Sequence, residues 1–600
     1  MFNRRVLPTA VAVASAIVAS FPAATSAATL SVDDSVVVTA TRAERKLDEV
    51  PARVSVITRA DIERIAPADL VELLRLEAGI DIARSGGPGG QTSVFMRGAN
   101  SNHVLVLIDG VRAAASGTGA FTWEILDPAL IERIEIVRGA RAARWGSDAI
   151  GGVIQIFTRR PDGVRLEARY GSDVDLRGMV AAGRQGGGLD ADLTLVGRSV
   201  DGFSAQNANG FAFDPDDDGF DNLSAATGGG LDLAGGRLQW RGRIASGEVE
   251  FDQGESEFDN WSWRFDYAAA QVGPWQWRAG LATLRDRLET STAFGVNEVV
   301  TRRLQADVVL ERRTATGAWL VGVDGWRESG VSEGQWNESR SNAGVFTGVE
   351  GQFGTLGWEL AGRFDDDENF GSEWTGNGGL NWTPAQGLRL FATGGKGFRA
   401  PNFSQLYSPG FGGLFAGNPQ LEPERSWSAE LGLDLKPSAT QRVTMSAFSN
   451  WIDDLVDFSG PLFAAININE ARIRGLELSH EWRPDVWRST VNLTWQDPED
   501  RTTGQDLLRR AEFKGNWTLG VQAGPNWRID GELVHVGTRD DFGGVELASY
   551  TLVNLRAGWQ INPSWNAELR IDNLADRDYQ PAFGFNAPDR RVFVSLGWQR

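Results

Sequence analysis

Thr92 to Arg112 reads TSVFMRGANSNHVLVLIDGVR, and a few dozen residues later Val137 to Arg160 reads VRGARAARWGSDAIGGVIQIFTRR. In the first, Val104 to Ile108 is a strongly apolar strand, and Asp109-Gly110 after it is a tight-turn signal. Further strands are expected at Ile131 to Val137 and Gly152 to Thr158, and a helix-like run at Ala68 to Leu76, introduced by Pro67, where a first-turn proline is tolerated. From Val50 to Arg160 the texture is therefore that of a compact α/β unit.

Upstream, Arg4 and Arg5 form a positive n-region, Val6 to Phe21 an apolar core bracketed by Pro8 and Pro22, and Ala23 to Ala28 a small-residue cleavage region. Residues 1–28 read as an export signal, since the apolar stretch is short for a membrane anchor and a cleavage site follows it. No later stretch approaches ~20 uninterrupted apolar residues, so a membrane protein with this sequence must cross as a β-barrel.

Downstream of about residue 165 one pattern recurs: short alternating runs separated by segments rich in Gly, Asp and Asn. Leu431, Leu433 and Leu435 alternate with Glu430, Gly432 and Asp434; Val491, Leu493 and Trp495 alternate with Thr490, Asn492 and Thr494. Ala567, Leu569 and Ile571 alternate with Glu568 and Arg570. A period of two places the apolar side chains on one face of a strand. A soluble β-sandwich alternates too, but here an export signal, charged opposite faces and abundant tryptophan accompany it. Of 23 Trp, all but Trp123 and Trp145 fall in this region, as aromatic girdles would require. At ~10 residues per strand plus a connection, about 435 residues hold roughly 20 to 24 strands, a size class whose lumen needs a plug. The fold expected is a transmembrane β-barrel of about 22 antiparallel strands with an N-terminal α/β plug domain inside the lumen.

Composition narrows the function classes. The chain of 600 residues carries 79 Asp plus Glu against 59 Lys plus Arg, a balance that argues against a nucleic-acid partner. It has no Cys, which excludes disulfides, thiol nucleophiles and thiolate-zinc sites. His103, His480 and His535 lie far apart and form no metal-spaced pair. No acid–base or nucleophile constellation stands out, so an enzyme is not expected.

Both opening segments resemble the plug domain of the TonB-dependent outer-membrane receptors, with wording closest to the cobalamin (vitamin B12) group. The resemblance continues through Gly397 to Tyr407 (GFRAPNFSQLY), Gly417 to Arg425 (GNPQLEPER), Asn469 to Glu477 (NEARIRGLE), Leu507 to Ala511 (LLRRA) and Asn573 to Tyr579 (NLADRDY). The family's barrels usually end on an aromatic residue, whereas Gln599 and Arg600 follow Trp598 here, which leaves the assembly signal slightly weakened. The resemblance implies a signal peptide at 1–28, a coupling segment at 29–48, a plug at 49–161 and a barrel at 165–600, in the outer membrane of a Gram-negative bacterium. It also implies gated import, with TonB and its inner-membrane energising complex as partner and outer-membrane lipid as surroundings.

Asp34 to Ala40, DSVVVTA, resembles the TonB box: Asp34, Ser35, Val36, Val37, Val38, Thr39 and Ala40. Its valines favour an extended backbone able to add to a partner's sheet edge. Substrate binding is expected at two plug-apex loops, through Ser85, Gly86, Gly87 and Gln91 in the first and Ala115, Ser116, Gly117 and Thr118 in the second, whose small residues allow close backbone approach. The acidic run Asp214 to Asp221, DPDDDGFD, resembles the calcium loop of the cobalamin group, making Asp216, Asp218 and Asp252 candidate Ca2+ ligands, although Ser204 stands where an acid is expected. Cobalamin import is the reading that results. A ferric-siderophore receptor of the same architecture is the alternative. Haem uptake fits less well because no His lies between Pro401 and Asn418. A passive porin would lack the plug and the TonB-box-like strand.

Overall fold

The alternating segments after Gly163 close into a barrel of 22 antiparallel strands, in which the first (Gly163–Gly171) pairs with the last (Arg591–Gln599). This computed structural model describes residues 36–37, 40–114 and 119–600, apart from 234, 270, 272, 294, 411–413 and 460–461. The export signal read at 1–28 lies outside the described residues.

Burial along the strands is inverted relative to a water-soluble sheet. Leu431 is 67% exposed, whereas its neighbours Glu430 and Asp434 are 4% and 3% exposed. Trp495 and Leu569 likewise face outward while Thr494 and Arg570 are buried. Such a surface is stable only where the solvent is hydrocarbon, and closing the sheet leaves no unpaired edge in it. Inside, charge is matched: Arg363 reaches both Asp324 and Asp365 at 2.6 Å, and Arg169 and Arg198 share Asp175. Exposed tryptophans gather at both ends, with Trp319, Trp382, Trp487 and Trp565 at one and Trp374, Trp427 and Trp495 at the other. Gln599 and Arg600 extend the closing ladder beyond Trp598, Arg600 exchanging backbone hydrogen bonds with Val164.

The plug starts with β1 (Val36–Val37), β2 (Arg45–Lys46) and β3 (Val54–Thr58), then α1 (Arg59–Ile65) and α2 (Leu70–Arg75). It continues with β4 (Ile80–Arg84), β5 (Thr92–Met96), β6 (Val104–Ile108), β7 (Val111–Arg112), β8 (Ile131–Arg138), α3 (Ala142–Trp145) and β9 (Gly152–Thr158). The central sheet has the order β3-β8-β9-β6-β7, with β6 and β9 parallel. Asp109 and Gly110 both take positive φ, 48° and 82°, the geometry a two-residue hairpin turn demands. Ile134, Ile136, Ile154 and Ile156 of β8 and β9 pack with Leu70, Leu73 and Leu74 of α2 in one core.

The helix anticipated at Ala68 to Leu76 is shorter. Asp69 rather than Pro67 starts it, its carboxylate accepting the Glu72 N–H at 3.1 Å, while Pro67 lies in the connection from α1. Helix α1 itself escaped the sequence reading, because RADIERI buries only Ile62 and shows no apolar stripe. A reciprocal cap between Thr58 and Asp61 starts it, and Ala66 in the left-handed region (φ 44°) ends it. Among the described residues no helix is long and apolar enough to cross a membrane.

Candidate functional site: plug apex, acidic loop and coupling segment

The β4–β5 hairpin carries the first apex loop. Its ends are fixed by the ladder, Arg84 opposite Thr92, and its neck is closed by the Ser85 N–H donating to the Gln91 carbonyl at 3.0 Å. Gly86 (φ 88°) and Gly89 (φ 81°) are left-handed, and a Cβ on either would lie 2.6 Å from Ala205 or 2.5 Å from Phe220. These glycines therefore let the loop press against the barrel, with Gly87 facing Phe203. Gln91 is exposed, Ser85 half-buried, and Gly86 and Gly87 are buried. Ala115, Ser116, Gly117 and Thr118 of the second loop lie outside the described residues. Beneath the first loop, the Thr92 N–H donates to Glu124 Oε1 at 2.6 Å, while Oε2 is buried without a partner. Burial pushes the Glu124 carboxyl up to about 8.

The barrel loop that covers this apex is the acidic one. Asp218 accepts the Ala205 N–H at 2.5 Å, Asp252 accepts those of Gln206 and Asp214 at 2.7 and 2.8 Å, and Glu250 accepts that of Gly219 at 2.8 Å. Asn586 ties the same loop to the final extracellular connection through the Ser204 and Gln206 carbonyls. Asp218 and Asp252 are buried; Asp216 is exposed. Burial pushes the Asp218 carboxyl up to about 6 against the Ala205 hydrogen bond, and Asp252, Asp216 and Glu250 add to the push. None of these four carboxylates is in an ion pair with a described cation, so the loop concentrates uncompensated hard-oxygen charge, the donor chemistry a calcium ion takes. Among the described residues no three such groups stand close enough to hold one metal ion.

At the opposite end, Val36 and Val37 pair antiparallel with Lys46 and Arg45 over two residues only. Asp34, Ser35, Val38 and Thr39 lie outside the described residues, while Ala40 is fully buried against Leu47, Val50 and Ala52. The segment is pinned to the barrel wall by Arg42 on Asp324 at 2.7 Å and Arg45 on Glu311 at 2.9 Å and on Glu350. This end carries the short turns, such as 314–317, and the opposite end the long connections, such as 400–423 and 573–590.

Sequence reading missed the lock between plug and barrel. Arg97 holds Glu477 at 2.9 Å and Glu430 at 2.6 Å, and Arg53 reaches the other Glu477 oxygen at 3.1 Å. Arg138 stands 4.0 Å from Glu477 and bonds the Ala78 carbonyl. Gly79, φ 75°, gives Glu477 room: a Cβ there would sit 2.1 Å from Oε1. His103, fully buried, accepts the Asn100 N–H at Nδ1 and faces Glu424 at 3.0 Å from Nε2, a structural role. One signal was present: Glu430 falls on the polar face of an alternating strand, and a carboxylate turned into a plugged lumen needs a cation from the plug.

Comparison with known proteins agrees with this architecture. Residues 46–153 match the profile of the TonB-dependent Receptor Plug Domain, and residues 164–574 that of the TonB dependent receptor-like beta-barrel. The Vitamin B12 transporter BtuB of Photobacterium profundum is 30% identical, the alignment covering 96% of this chain and 97% of that protein. Its namesake from Vibrio vulnificus is 28% identical over 92% of each. Among solved structures, the ferric enterobactin receptor PfeA of Pseudomonas aeruginosa superposes with a TM-score of 0.79 at 16% identity, covering 94% of this chain and 100% of that one. The FrpB iron transporter of Neisseria meningitidis gives 0.79 at 15% identity, covering 92% and 100%. At such identities the structural likeness speaks for the fold, and the profile matches, which take in most of the chain, for descent: the protein belongs to the TonB-dependent receptors of the bacterial outer membrane.

Proposed function

We propose that this receptor imports a corrinoid, cobalamin or a near relative, with TonB drawing on Asp34 to Ala40 to open the plug. The observation that carries this reading is the end-to-end similarity to relatives named vitamin B12 transporters. The chemistry of the apex supports it. A corrinoid is large and rich in amides, and the loop residues Ser85, Gln91, Ser116 and Thr118 are neutral donors or acceptors. An anionic siderophore calls for a cationic clamp, and only Arg84 and Arg112 flank these loops. Arg84 is already engaged by Asp69 at 2.8 Å.

Calcium has a place in the same proposal. Asp216, Asp218 and Asp252 would hold the ion once the loop draws the three carboxylates together, and the ion would neutralise charge that the folded loop otherwise carries unpaired. Because that loop packs on Gly86 and Gly89, ordering it would fix the wall against which the ligand is held.

Titration of the purified receptor with cyanocobalamin, with calcium and with chelator, beside ferric enterobactin, tests the assignment. Saturable cyanocobalamin binding is expected. Tight ferric enterobactin binding without cobalamin binding would reassign the substrate and leave the import architecture standing.

A further inference from the structure

The outer wall of the barrel carries charge in a place where lipid must meet it. On the strand Gly295–Thr314, residues Leu304, Val308 and Leu310 are exposed and alternate with buried or half-buried neighbours, so the even positions face lipid. Arg302 continues that outward row and is exposed. On the strand Gly317–Ser332 the outward row is Trp319, Val321, Val323 and then exposed Arg327. On Gln276–Thr292 it includes Leu281 and Arg285.

Register brings the three arginines together. Arg302 lies directly opposite Arg285 on one side and Ser329 on the other, and Arg327, two residues from Ser329, lies opposite Leu304. Like charges facing each other across a ladder repel unless an anion lies between them. Arg285 has Asp259 at 2.7 Å, but neither Arg302 nor Arg327 has a carboxylate partner among the described residues. One row further out the charges cancel: Arg287 is surrounded by Glu257, Glu289 and Glu298. The apolar stretch from Arg302 to Arg312 is roughly ten residues, or about 25 Å at ordinary strand rise and tilt, the height of an outer-membrane hydrocarbon band. Its Arg312 end adjoins Glu311, which the coupling segment grips through Arg45, so that end is periplasmic and the arginine cluster stands at the headgroup level of the outer leaflet.

We propose that Arg302 and Arg327, with Arg285 beside them, form a binding site for the phosphate of an outer-leaflet lipid headgroup. A guanidinium pair offers forked donors to phosphate oxygens, and the apolar rows immediately below receive the acyl chains of the same molecule. The lipid thereby supplies the anion that Arg302 and Arg327 lack. The site is independent of the imported substrate.

Native mass spectrometry of the detergent-solubilised receptor with doubly phosphorylated lipid A, and with the same lipid dephosphorylated, tests this. The parent should retain the phosphorylated form preferentially. The double variant Arg302→Gln/Arg327→Gln should lose that retention by roughly tenfold or more, while Arg312→Gln, at the periplasmic end of the same row, should match the parent. Heat-modifiable gel migration checks that each variant is a closed barrel. Equal retention of the two lipids by the parent would overturn the proposal, and so would a folded double variant that binds like the parent.

Discussion

Glu477 is the residue on which plug and barrel depend most directly, because Arg53 and Arg97 both spend their charge on it in a buried seam. Removing one member of such a network leaves the others buried and unpaired, at a cost of about 3–5 kcal/mol. Glu477→Ala is therefore expected to loosen the plug without opening the barrel ladder, seen as increased ion conductance of single receptors in planar bilayers. Conductance equal to the parent's would show that Glu430 alone holds Arg97. Glu124 makes a pH prediction. Burial raises its folded pKa to about 8, above the ordinary value near 4.3. Its contribution to stability is full below that ordinary value, declines as the pH rises, and levels off above about 8, where the folded carboxyl is ionised too. In Glu124→Gln the decline should vanish, so thermal midpoints of variant and parent should diverge between pH 5 and 8 in the variant's favour. Parallel curves would place the Glu124 carboxyl in water.

At the scale of elements, β1 is two residues long and its neighbour β2 is clamped by Glu311 and Glu350. A strand held by so few rungs can be peeled from one partner and offered to another, whereas β8, paired with β9 along its length and with β3 from Arg133 to Val137, cannot. Val37→Pro removes a backbone donor and fixes φ, so uptake should be abolished while ligand binding by the purified receptor is unchanged. Transport surviving that substitution would relocate the coupling segment. The apex hairpin shows the other use of a short element. Gly86 and Gly89 let the β4–β5 loop lie against the acidic barrel loop, so the two candidate binding features form one contact.

On the scale of the whole molecule, the acidic loop sits between the plug apex and the final extracellular connection, fastened to the latter by Asn586. If calcium joins Asp216 to Asp218 and Asp252, replacing Asp216 and Asp218 by Asn should remove the calcium dependence of ligand affinity. Ligand binding in the parent that is identical with and without chelator would leave the loop a solvated one. The barrel as a whole gives a hydrocarbon-facing exterior and an ion-paired interior, and the plug aims Arg141 and Arg97 at the wall carboxylates Glu359 and Glu477 and His103 at Glu424.

The sequence by itself determined the barrel, because a period of two with Leu431 and Trp495 on one side and Glu430 and Thr494 on the other is a local property of each strand, and so is the Asp109-Gly110 turn. It also exposed the strands β6, a continuous apolar run, and β9, whose apolar residues are interrupted by Gln155. Helix α1 was not legible, since its capping box lies outside a run with no apolar period. Only the tertiary structure decided that Arg97 meets Glu477, which is 380 residues away in the chain. It alone decided that Gly86 meets Ala205. Each of these depends on the register of strands around a closed circuit, a quantity fixed by the sum of all the ladders and by none of them singly.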